Sequence, residues 1–145
     1  KWDENGDPHI KASCLPDLYF AQGFVHAQDR LWQMETRRAI ARGKLAEKFG
    51  AKAIPLDVFT RTIGFQQAAQ EYLDQLHGAD TQLAKETLEV LKSYTAGINA
   101  AVKGLSVMPL EFLLAQVPWE EWEELDSVSF GLYMQYTLEN GWKQE

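Results

Sequence analysis

The stretch from Pro16 to Arg42 constrains this chain more than any other. It reads as one long helix. Pro16 suits a first-turn position, Asp17 suits the positive helix end, and Gly43 suits the terminus. Leu18, Ala21, Val25, Trp32 and Ala39 recur at helical spacing. The same segment carries Gln22, Gln28, Asp29, Arg30, Gln33, Glu35, Arg37 and Arg38, so polar groups that need partners occupy its other sides. A helix of this kind suits a chain that wraps a second chain. Asp29, Arg30, Arg37 and Arg38 are expected to form buried or interface ion pairs.

The rest of the chain is also helical in pattern. A short helix is expected at Leu45–Phe49, ended by Gly50, and another near Asp57–Thr62 after Pro55. Phe65–Leu76 forms a further one, ended by Gly78. Asp80 is a good N-cap for the strongest periodic segment, in which Leu83, Thr87, Leu91, Tyr94, Ile98 and Val102 follow one face until Gly104. Pro109–Gln116 can form one more short helix, and a last one starts near Asp126. The apolar face of that last helix is Val128, Gly131, Met134, Leu138 and Trp142, with Gln135 intruding. Before it, Pro118-Trp119-Glu120-Glu121-Trp122-Glu123-Glu124 reads as a solvated acidic loop whose tryptophans pack. At the other end, Asn5-Gly6 marks a turn and His9–Ala12 suits a short strand. The fold class is therefore mostly α with a short N-terminal strand.

Composition removes several function classes. The chain has 145 residues, 46% of them apolar and 24% charged, which suits one globular unit. A net charge of −7, with no basic cluster beyond Arg37-Arg38, argues against a nucleic-acid partner. No apolar run reaches the roughly 20 residues that span a bilayer, so no membrane partner is expected. The polar start KWDENGDPHI is not a signal peptide. The single cysteine, Cys14, forms no intrachain disulfide and leaves the compartment open.

No set of residues here makes a catalytic site. Gly43-Lys44 lacks the rest of a phosphate loop, and there is no G-x-S-x-G elbow. His9, His26 and His77 have no His or Cys at zinc-ligand spacing. Asp3–Asp7 faintly resembles a calcium loop, but that register would put Pro8 and Cys14 where Gly and Glu are needed. Residues alone give a helical, acidic unit whose chemistry, if it belongs to an enzyme, lies elsewhere.

Several segments in order resemble the penicillin acylase (penicillin amidase) family of N-terminal-nucleophile hydrolases. They are Gly6-Asp7-Pro8-His9-Ile10, DLYFAQGFVHAQDRLWQMETRR at 17–38, ARGKLAEKFG at 41–50, DVFTRTIGF at 57–65, YTAGINA at 94–100, Pro109–Phe112 and MQYTLENGWKQE at 134–145. Asp7 departs from the apolar residue usual in the family. The resemblance implies that residues 1–145 are an α subunit that wraps a β subunit cut from the same precursor, within a two-chain αββα fold. It implies acyl transfer by a Ser at the start of the β chain, whose α-amino group serves as base. Lys1 is no such nucleophile, so no catalytic residue is expected on this chain.

By the same resemblance, Met134, Gln135, Leu138 and Trp142 line the acyl pocket of an N-acyl substrate, a face that can equally be ordinary core. Gln135, Leu138 and Glu139 replace the Met, Arg and Phe of phenylacetyl-specific members. Leu138-x-x-x-Trp142 looks more like acylases of long-chain substrates, including acyl-homoserine lactones. Glu145 matches an α-chain acid that helps hold a structural Ca²⁺ shared with the β chain. The family further implies a periplasmic or secreted protein acting on β-lactams such as penicillins or on acyl-homoserine lactones. The competing reading is a stand-alone helical binding module without catalysis.

Overall fold

The long segment does form a helix, α1 at Leu15–Arg42, in a computed structural model that describes residues 2–140. Pro16 sits in its first turn. Gly43, at φ 62°, closes it by donating its N–H to the Ile40 carbonyl, while the Lys44 N–H reaches Ala39. The helix is broken once, at Arg30, whose φ and ψ of −135° and 22° are not helical. Then follow α2 (Leu45–Phe49), a 3₁₀ turn at Ala51–Ala53, α3 (Ile54–Ile63), α4 (Phe65–Gly78), α5 (Gln82–Lys103), α6 (Leu110–Ala115) and α7 (Glu124–Asn140).

The helices appear where periodicity placed them, with one correction at a cap. The cap of α5 is Thr81, whose Oγ1 accepts the Ala84 N–H at 3.2 Å. Asp80 lies outside the helix and pairs with Lys85 at 2.5 Å. The expected N-terminal strand is absent among the described residues, where the only extended pairing is an isolated bridge between Trp2 and Pro8. The physical reason is local: Asp3 folds the chain back on itself, its Oδ1 accepting the N–H groups of Asn5 and Asp7 at 2.9 Å each. No strand then lies beside His9–Ala12 among the described residues.

Helices α1 and α5 form the centre of the molecule, and two glycines set how closely they approach. A β-carbon on Gly23 would stand 2.1 Å from the Tyr94 carbonyl oxygen, and one on Gly97 would stand 2.0 Å from that of Phe20. Neither contact can be relieved by turning a side chain, so the two backbones are in direct contact there. Around this crossing lies the core of Ala27, Leu31, Ile98, Ala101, Phe112, Val117 and Trp122.

The face of α1 that is buried differs from the apolar one. Gly23, Ala27, Leu31, Glu35 and Arg38 are buried; of the expected stripe Ala39 is buried too, whereas Leu18, Ala21, Val25 and Trp32 are only half-buried. A seam made of a glycine, an alanine, one leucine and two paired ions carries little hydrophobicity, so periodicity rotated the helix. Helix α7 shows the same effect. Its innermost residues are Asp126 and Ser129, followed by Tyr133 and Tyr136 against Phe65 at ring distances of 5.6 Å. They replace the predicted face of Val128, Gly131, Met134 and Leu138.

Replacing Gly97 with alanine is expected to separate α1 from α5. Overpacking of this kind costs about 1–3 kcal/mol. Urea unfolding of the Gly97→Ala protein should show a midpoint lowered accordingly, while Gly131→Ala, with open space around it, should unfold like the parent.

Candidate functional site

The acidic 118–124 loop keeps Glu120, Glu121 and Glu123 in solvent, yet its backbone and tryptophans are anchored to α1 and α5. Arg38 is fully buried on α1 and donates from Nη1 to the carbonyls of Glu120 (3.0 Å) and Glu121 (3.2 Å). Its guanidinium lies over the rings of Trp119 and Trp122, 4.6 and 5.1 Å from their centres. Arg38 also pairs with Glu35 one turn away, and Glu35 in turn holds Lys48 of α2 at 2.6 Å.

Asp126 binds the start of α7 to the same place. Its carboxylate accepts a fork from Arg42, 2.7 Å to Nε and 3.0 Å to Nη2, as well as the Glu123 N–H at 3.0 Å. The Asn99 side chain of α5 both donates to and accepts from the Trp122 backbone, at 2.9 and 2.8 Å. A long element with charge on several sides is thereby satisfied from three directions.

Of the four ions expected to pair on α1, only Arg38 does so among the described residues. Asp29, Arg30 and Arg37 are exposed. Sequence reading missed Arg42, Asp126 and Asp57. Asp57 is buried on α3 and caps α2 across space, accepting the N–H groups of Leu45 and Ala46 at 2.8 Å each. The available signal was composition: acids and bases spaced 78 to 88 residues apart have no periodicity that would pair them.

Beside this anchor runs a groove of about 600 Å³ between α1, α5 and α7. Its α1 wall is His26, Arg30, Gln33, Met34 and Arg37, and its α7 wall includes Phe130, Tyr133, Met134 and Thr137. Tyr94 of α5 closes the floor, its hydroxyl 2.9 Å from His26 Nδ1. Burial pushes the Tyr94 phenol above its ordinary range.

The predicted acyl-binding residues divide. Met134 lines the groove and is 47% exposed, whereas Leu138 is 65% exposed and lies outside it. Gln135 is exposed and donates to Glu139 at 3.0 Å. None of the three is core of this chain. Trp142 and Glu145 lie outside the described residues. Among the described residues, no group of three or more His, Cys, Asp or Glu side chains is arranged to hold a metal.

The family model described as penicillin amidase matches residues 1–145. The chain belongs to the penicillin amidase family. The penicillin acylase 2 proenzyme of Pseudomonas sp. (strain SE83) is 40% identical over 123 residues, 83% of this chain and 15% of that protein. The acyl-homoserine lactone acylase QuiP of Pseudomonas aeruginosa is 34% identical over 134 residues, again 15% of its length. The penicillin G acylase of Escherichia coli is 30% identical over 129 residues, or 86% of this chain. A solved structure of a thermostable penicillin G acylase from Alcaligenes faecalis superposes with a TM-score of 0.78 at 22% identity, covering 95% of this chain and 71% of that one. This confirms the helical fold. The chain thus spans about 15% of the relatives it matches.

The anchor makes two kinds of substitution separable. Asp126→Asn leaves buried guanidinium groups short of a counter-charge and is expected to cost about 3–5 kcal/mol, whereas Glu120→Gln removes a largely exposed partner and should cost under about 1 kcal/mol. Thermal unfolding of the two variants reads the difference. The pH dependence has a definite sign. Burial pushes Glu120 upward, but the hydrogen bond and charge of Arg42 outweigh it and hold the carboxyl below its ordinary 4.5. Its contribution is therefore complete above 4.5 and is lost as pH falls through the lower folded value. An acid titration of stability should be shallower in Glu120→Gln.

Proposed function

We propose that this chain is the small, non-catalytic subunit of an acylase that hydrolyses the amide bond of N-acylated substrates, penicillins or acyl-homoserine lactones. A nucleophilic Ser on a β chain cut from the same precursor does the chemistry. The observation that carries this reading is a chain that spans about 15% of the relatives it matches and, among its described residues, turns much apolar surface outward. Ile54, Val58, Phe59 and Ile63 on α3 and Leu110, Leu113 and Leu114 on α6 are all more than a third exposed. Such surface on a small chain marks contact with another polypeptide.

In this reading α7 supplies one wall of the acyl pocket. Met134, Gln135 and Leu138 already face outward from the chain that carries them, as residues that meet a substrate held by a second chain must. The family resemblance assigns Trp142 to the same wall. Each methylene of an acyl group buried there gains about 0.8 kcal/mol, so the wall sets chain length rather than rate. The amine half of the substrate is left to the β chain, and the protein works in the periplasm or outside the cell.

A structural Ca²⁺ fits the same scheme only with help from the β chain. Calcium takes about six to eight oxygen ligands, and Glu145 offers one carboxylate. The ion would join the two chains and take no part in the chemistry.

The test is a substrate panel of penicillin G, penicillin V, long-chain penicillins and acyl-homoserine lactones, run on the full-length protein and on Leu138→Arg. The expected result is cleavage of N-acyl substrates by both, with the variant losing about tenfold in kcat/KM on long acyl chains for each ~1.4 kcal/mol of burial removed. An unchanged chain-length profile would remove Leu138 from the pocket. No cleavage of any member by the parent would contradict the proposed activity.

A further inference from the structure

We infer that the groove between α1 and α7 is the seat of an acidic segment of the β chain, gripped by Arg30 and Arg37. This rests on the two-chain reading above and adds to it the site and its chemistry.

The groove is a cationic island on an acidic chain. The chain carries a net charge of −7, yet the groove lining includes Arg30 and Arg37 and contains no Asp or Glu. Neither guanidinium has an ion pair or side-chain hydrogen bond among the described residues. Every other arginine, namely Arg38, Arg42 and Arg61, is paired. Arg30, at the break in α1, and Arg37, seven residues on, line the same groove. Guanidinium groups recognise carboxylates through a planar fork, so the complementary group is a pair of carboxylates at similar separation.

The walls specify the remainder. Met34 gives an adaptable apolar surface, and Phe130 and Tyr133 add aromatic rings. An occupant needs carboxylates on one edge and apolar side chains on the other. A polypeptide fits better than a free acid for two reasons. Matched relatives have most of their length outside the region this chain covers. The groove also ends beside the exposed Leu138 face, which needs cover itself.

The test uses the full-length protein. Peptide mapping after phenylglyoxal treatment compares the modification rate of each arginine in the native and urea-unfolded states. Arg30 and Arg37 are expected to react at least about tenfold more slowly in the native protein, as groups held by a stable contact do. A smaller difference overturns the proposal. So does protection that appears only when hexanoate is added, which would make the groove a small-anion site. Charge reversal by Arg30→Glu with Arg37→Glu should raise the dissociation rate of the two chains by at least about tenfold, and an unchanged rate counts against it. Native mass spectrometry separates the two levels of failure. If no second chain is bound, the functional reading fails together with this one. If a second chain is bound and the arginines react freely, only the groove assignment fails.

Discussion

The placement of α7 and of the loop before it depends on the burial of Arg38 and Asp126. Asp126 is fully buried at the start of α7, and Arg38 and Arg42 of α1 converge on it. Buried ions are expensive unless their remaining hydrogen-bonding capacity is filled. Here it is filled by backbone carbonyls at 120 and 121, by the Glu123 N–H, and by Glu35 and Lys48. The arrangement fixes where α7 leaves the body of the chain. It therefore fixes where Met134 and Leu138 point.

This explains why the helices were legible while the buried faces of α1 and α7 were not; that of α5 was legible at Tyr94, Ile98 and Val102, though Leu83 is exposed. Helix ends depend on local chemistry, and Pro16, Gly43, Gly64 and Gly104 stand where the helices start or stop. Which face is buried depends on partners far along the chain. On α1 the seam is Gly23, Glu35 and Arg38, and on α7 it is Asp126 and Ser129. A hydrophobicity pattern scores these as outward-facing. The acidic loop was rightly read as solvated side chains with packed tryptophans, but the cation that holds its backbone was not legible, because it lies more than 80 residues away.

The candidate site shows the same division. The family was legible in the 17–50 block. Met134, Gln135 and Leu138 were placed on α7, and the structure adds that they face outward from this chain. The groove beside them was not legible, because it requires α1, α5 and α7 in three dimensions. What unites these features is incompleteness. On the proposed two-chain reading, the apolar faces of α3 and α6, the exposed Leu138, and Arg30 and Arg37, unpaired among the described residues, are the surfaces a β chain covers.

That incompleteness is the central claim, and the mass of the native protein tests it most directly. Denaturing mass spectrometry with N-terminal sequencing of the protein from its own source should show two chains released from one complex. The account predicts that this small chain is accompanied by a larger one of several hundred residues that begins with Ser. A folded, monodisperse protein consisting of this chain alone would contradict it.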